Sequence, residues 1–134
     1  MVMEVSRVLE TAIYLAGIAL ADPKLLKVYR MYVDGVSPAT IADITGISKD
    51  SIRGLIRRVQ EKVGAPRAEA ILRHLLPLLM GIEPIVVDGW CRVCNTYVGT
   101  GIAALHHVRT MHRDLVVRIS LQIVEELRRR VVKA

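Results

Sequence analysis

The chain has 134 residues, 52% of them hydrophobic, with five prolines, nine glycines and no biased tract. That length suits one compact domain or two small ones sharing a core, and the composition excludes a largely disordered chain. A net charge of +6 and an isoelectric point near 9.7 point to a polyanionic partner; because lysine and arginine are spread along the chain, folding must gather any binding surface.

Val5, Val8, Leu9, Ala12, Ile13, Ala16, Ala19 and Leu20 recur at i, i+3 and i+4, the pattern of a helix packed on one face. The run from Val8 to Ala21 resembles the core of a signal peptide, but it carries Glu10, follows Glu4 and Arg7, and falls short of the roughly 20 apolar residues that cross a bilayer. A cytoplasmic location and no membrane contact are expected.

Asp22-Pro23 then reads as an N-cap with proline in the first turn, opening a helix that ends at Asp34 before Gly35. Ser37-Pro38 repeats the signal for a short helix, PATIADIT, stopped by Gly46, and Ser48 caps a longer one, KDSIRGLIRRVQEKV, ending at Gly64. Pro66 opens a fifth helix, RAEAILRHLLPLLM, bent near Pro77 and ended by Gly81. IVVDGW and TYVG are β-prone runs around CRVC and predict a small hairpin, followed by a helix through AALHHVRTMH. In the tail Val117, Ile119, Leu121 and Ile123 alternate as a strand would, whereas EELRRRVVKA is built of helix formers with acids before bases. The tail is read as a helix. There is no internal repeat.

The segment PATIADITGISKDSIRGLIRRV has what a helix-turn-helix requires: a small residue, Ala42, where the helices cross, Gly46 in the turn, and Ile41, Ile47, Ile52 and Leu55 as the shared apolar contact. Thr45 stands where an apolar residue is usual. Ile52, Ile56, Val59 and Val63 share one face of the second helix, while Lys49, Arg53 and Arg57 form a stripe on another, with Asp50 and Gly54 beside it. Such a stripe suits the major groove. An ordinary helical hairpin with a solvated basic face is the alternative.

Over residues 22–80 the chain resembles the LuxR-type (GerE) helix-turn-helix domain, carried by VSPATIADITGISKDSIRGLIRRVQEKVGAPRAEAI with Lys62, Gly64 and Arg67-Ala68-Glu69-Ala70. The resemblance implies a four-helix domain whose third helix reads DNA and whose fourth serves as a dimer contact. By it Lys49, Asp50, Arg53, Gly54 and Arg57 face the groove and Ser48 and Ser51 lie near phosphates; Arg58 completes the candidate set. Leu55 stands where the family commonly has a histidine.

Cys91, Cys94, His107 and His112 are spaced C-x2-C-x12-H-x4-H. A hairpin knuckle followed by a helix delivers four donors to one tetrahedral zinc ion at this spacing. His106 is a competing ligand. Residues 88–112 resemble the Cys2His2 zinc finger of DNA-binding proteins, with Val98 and Ala104 in place of the usual core aromatic and leucine. The core must then be completed from outside, by Trp90, Leu105 and the apolar tail. By analogy Thr100, Ala103 and His106 would face bases, and they are poor donors for bidentate contacts. Arg109 and Arg113 are placed to reach phosphates. A finger that is structural or contacts a partner protein is favoured over a second base reader.

The expected fold is therefore mainly α: an N-terminal packing helix (1–21), a LuxR-like four-helix helix-turn-helix domain (22–81), a small ββα zinc finger (84–112) and a C-terminal helix (113–134). The expected function is a sequence-specific transcription regulator bound to double-stranded DNA, with RNA as an open alternative and Zn2+ as cofactor. The competing function is an adaptor whose finger and C-terminal helix recruit a partner protein, with loose nucleic-acid affinity. No enzyme is expected, since the acidic residues form no inward cluster and a four-ligand zinc leaves no open position. A homodimer is expected from surplus apolar surface, namely Ala68, Ile71, Leu72, Leu75 and Leu79 with Leu115, Ile119, Ile123 and Leu127.

Overall fold

A computed structural model describes the backbone of residues 5–63 and 67–132, and the side chains of 8–61 and 73–130. Among the described residues the elements are α1 (Val5–Ala21), α2 (Pro23–Val33), α3 (Pro38–Thr45), α4 (Lys49–Val63), α5 (Arg67–Met80), β1 (Val86–Val87), β2 (Trp90–Cys91), β3 (Thr96–Tyr97), α6 (Ile102–Met111) and α7 (Arg113–Val132). The chain is mainly helical, with a small antiparallel sheet in the order β1-β2-β3. The sequence's stop at Gly64 and start at Pro66 lie outside the described residues, as do the side chains of Val5, Lys62, Val63, Arg67, Ala68, Glu69, Ala70, Ile71 and Leu72.

Helix α1 is the axis of the molecule. It packs against α2, α4, α5, α6, α7 and β1, and from Val8 to Ala21 only Glu10 is exposed. The one-face pattern expected from sequence is too narrow. Thr11, Leu15 and Ile18, outside that pattern, are also buried; every residue from Leu15 to Ala21 is buried, while Leu9, Glu10, Ile13 and Tyr14 leave one side of the first half partly open. One cluster of buried side chains joins Leu15 and Ile18 of α1 to Leu26 of α2, Ile41 of α3, Ile52 and Val59 of α4, Leu75 and Leu79 of α5, Val86 and Cys91 of the sheet, Val108 of α6 and Val116 and Leu127 of α7.

The caps act as the sequence predicts. Asp22 accepts from the Lys24 amide at 3.1 Å, and Ser37 Oγ from the Thr40 amide at 3.3 Å. Gly46 closes α3 in the left-handed region at φ +75. The unusual Thr45 has a local job: its hydroxyl donates to the Ile41 carbonyl at 2.8 Å and accepts from the Ile47 amide at 3.2 Å, which fixes the turn. Helix α5 runs through an exposed Pro77.

The ββα finger expected from sequence gains a strand. IVVDGW is itself a hairpin, with Val87 paired to Trp90 across Asp88-Gly89. Both turn residues have positive φ, +52 and +84, as a two-residue type I′ turn demands. An added Cβ at Gly89 would stand 2.4 Å from the Tyr97 ring, so only glycine fits. The sheet is anchored on α1 by the Ile85 amide, which donates to the Leu20 carbonyl at 3.0 Å.

Helix α7 resolves the ambiguous tail as helix. Val116, Ile123, Val124 and Leu127 are buried and Leu121 is exposed, so burial follows a helical period and not the alternation of 117, 119, 121 and 123. Ser120 is fully buried, and its hydroxyl donates to the Val116 carbonyl at 2.6 Å. Leu75, Leu79, Ile123 and Leu127, read from sequence as surplus for a dimer, belong to the core of one chain. Leu115 and Ile119 are half-buried against it. No helix among the described residues is long and apolar enough to cross a membrane.

Candidate metal centre and helix-turn-helix surface

Cys91 ends β2 on the inner face of the sheet and is buried, whereas Cys94 lies on the following turn and is exposed. That turn is closed by the Asn95 amide, which donates to the Cys91 carbonyl at 2.8 Å, with Asn95 at φ +56. The Cys94 amide points at Cys91 Sγ at 3.4 Å, the kind of backbone contact that steadies a sulfur ligand from behind. His107 sits on α6, and His112 caps its C-terminus, its backbone N–H donating to the Val108 carbonyl at 3.0 Å.

These four residues converge. One ligand atom from each lies within 4.8 Å of all the others. His112 Nε2 is 3.4 Å from Cys91 Sγ and 3.2 Å from Cys94 Sγ, and His107 Nε2 is 3.5 Å from Cys94 Sγ. The two imidazoles stand 5.0 Å apart at 69°. Desolvation and then the adjoining Cys91 thiol push the Cys94 thiol above its ordinary value. Desolvation and then the charge of His107 hold His112 below 6.5. Cys94 and His112 thus resist ionising without an opposing charge beside them, and a cation at the centre of the cluster relieves that resistance at Cys94 by drawing off the thiol proton. The donor set, two sulfurs and two imidazole nitrogens, therefore fits a metal ion. His106, the competing ligand, is exposed and stands outside the converging set.

The sheet and α6 dock on the rest of the chain, with Leu105 half-buried against the core and the tail helix α7 packed on α6 as expected. Ala104 and Val108 are fully buried, and α6 packs on α1 and α7. Trp90, expected to complete this core, is 54% exposed. It lies on the outer sheet face between its strand partners Val87 and Tyr97 and meets Tyr97 edge-on at 6.2 Å. Arg109, expected to reach phosphates, turns inward. Its guanidinium sits 4.2 Å over the Tyr14 ring and donates to the Tyr14 carbonyl at 3.3 Å. Its side chain passes over Gly17, where an added Cβ would meet Arg109 Nε at 3.4 Å, an ordinary contact distance. Arg113, Thr100, Ala103 and His106 are exposed.

Helices α3 and α4 pack together, with Ile41, Ile52, Leu55, Ile56 and Val59 buried. Lys49, Asp50, Ser51, Arg53, Arg57 and Arg58 are exposed and Gly54 is half-buried. Among the described residues no ion pair ties Lys49, Arg53 or Arg57. Ser48 Oγ accepts from the Ser51 amide at 3.2 Å and donates to Ser51 Oγ at 2.7 Å, capping α4. Arg58 folds back, its Nε donating to the Gly54 carbonyl at 3.2 Å. The Gln60 amide donates to the Tyr32 hydroxyl at 3.0 Å and ties α4 to α2. Searches of protein-family models, of curated proteins and of solved structures find no match to this chain.

Proposed function

We propose that this protein is a sequence-specific DNA-binding transcription regulator, with α4 lying in the major groove. The observation that carries the reading is the stripe of Lys49, Arg53 and Arg57, exposed and free of ion pairs among the described residues, on a helix whose opposite face is buried against α3 across the Gly46 turn. Side chains four residues apart on a helix line one side of it, and a basic row of this kind offers hydrogen bonds to base edges with charge for the flanking phosphates. In this reading α2 to α5 form the LuxR-like four-helix unit, and Ser48, Asp50, Ser51, Gly54 and Arg58 surround the contact.

The metal is zinc in the same proposal. A zinc ion with bonds of about 2.3 Å to sulfur and 2.0 Å to nitrogen separates tetrahedral S and N ligands by about 3.5 Å, close to the 3.2 to 3.5 Å between thiols and imidazoles here. Filling all four positions from the protein suits a structural ion. Selection from a random-sequence duplex library tests the function. A recurring motif, bound with a steep salt dependence and at least about 10³-fold tighter than scrambled duplex, is the expected result. Salt-dependent binding without a motif would overturn it.

One observation favours the adaptor as the second reading. Trp90 and Tyr97, 54% and 61% exposed, give the outer sheet face an apolar surface of the type that meets protein partners. Binding to nucleic acid without sequence preference belongs to this reading.

A further inference from the structure

We propose that metal occupancy of the Cys91, Cys94, His107 and His112 cluster sets the DNA affinity of the helix-turn-helix, transmitted from α6 to α1 through Arg109 and from α1 to α4. This regulation rests on the DNA-binding reading above. The metal thereby acts as a signal in addition to holding the finger together.

Helix α6 has two anchors and a joint. Its N-terminus follows Gly99 and Gly101, both at positive φ (+94 and +58), and no side chain caps it. Glycines in that region leave the backbone free to adopt other angles at small cost, so the helix direction is set by what holds α6 further along. One anchor is the metal, through His107 and His112. The other is the core face, where Ala104 and Val108 are buried and the Arg109 stem passes over Gly17 to place its guanidinium on Tyr14.

Beyond Tyr14 the path is continuous. Helix α1 touches α4 directly, and its buried Leu15 and Ile18 share a cluster with Ile52, Leu55, Ile56 and Val59 of α4. Every residue of α1 from Leu15 to Ala21 is buried, and a segment so enclosed cannot shift without repacking its neighbours, since interiors are close-packed and change between discrete arrangements. The metal site is also accessible: Cys94 is exposed and both histidines are half-buried, so the ion can exchange with solvent while the core stays closed. Coupling of this kind is reciprocal, so DNA must strengthen metal binding by the factor by which metal strengthens DNA binding.

The experiment uses the full chain, loaded with one equivalent of Zn2+ or stripped by a chelator, and titrated against the duplex enriched by selection. We expect the stripped protein to keep its helicity by circular dichroism and to bind about tenfold more weakly, within the range usual for coupled sites. A chromophoric chelator competing for Zn2+ should report the same factor when DNA is added. In Arg109→Leu, Zn2+ should still bind stoichiometrically while the ratio between loaded and stripped affinities falls toward one. Equal affinities with helicity retained, an unchanged ratio in Arg109→Leu, or loss of all helicity on stripping would each overturn the proposal, the last because the ion would then be a folding staple. If neither form binds any duplex, the DNA-binding reading fails separately. Hydrogen exchange then decides the transmission: slower exchange at residues 52–59 on adding Zn2+ supports it, and no change there overturns it.

Discussion

Cys94 and His107 bring ligands from a turn and from a helix to within 3.5 Å of each other, and single substitutions separate them from their neighbours. Cys94→Ser and His107→Ala should each abolish stoichiometric metal in protein purified under reducing conditions, whereas His106→Ala should retain it; loss of metal in His106→Ala would reassign the ligand. On α4, Arg53→Ala should lose about 1 to 3 kcal/mol against the selected site if its guanidinium reads a base, with the fold intact. Anisotropy titration against matched and scrambled duplexes checks this, and parental binding by the variant would move the reading surface elsewhere. The ligand quartet was legible in sequence because a knuckle and one helix turn fix its spacing over short distances. Arg109 and Trp90 were misread. Whether a long side chain turns inward or outward depends on the partner it meets, and Tyr14 lies 95 residues from Arg109.

Among the elements, α1 decides how the two halves stand together. The caps of the helix-turn-helix lie within its own segment, but its core does not, because Leu15 and Ile18 are buried beside residues of α4, α6 and α7. Leu15→Ala leaves a cavity in this shared centre and should cost about 2 to 5 kcal/mol. Thermal unfolding followed by circular dichroism and by release of bound metal should shift together in this variant; two separated transitions would show that the metal-site half and the α3–α4 half unfold independently. Helices were readable from caps and stops such as Asp22-Pro23 and Gly46, which act over a single turn. The hairpin within IVVDGW was not separated from the strand signal, although Asp-Gly between apolar residues favours such a turn, because β1 and β2 have two residues each and strand signals are read over longer runs.

For the molecule as a whole, the intrachain core claims much of the apolar surface once assigned to a dimer. Leu121 is the only large apolar side chain on the described part of α7 that is more than half exposed, against the roughly 800 Å² per partner that a stable interface buries. Sedimentation at micromolar concentration tests the homodimer expected from sequence, whose two recognition helices would bind a palindrome with half-sites about one helical turn apart; a monomer both alone and on DNA would rule it out. The sequence by itself determined the helix starts at Pro23 and Pro38, the Gly46 turn, the basic row on α4 and the spacing of four metal donors. Each of these is a local pattern, decided within a few residues by backbone geometry and hydrogen bonding. Only the tertiary structure decided that α1 is enclosed all round from Leu15 to Ala21, that Arg109 clasps Tyr14, and that Trp90 faces solvent. Burial is set by contacts between distant parts of the chain, and no local period encodes which neighbour will arrive.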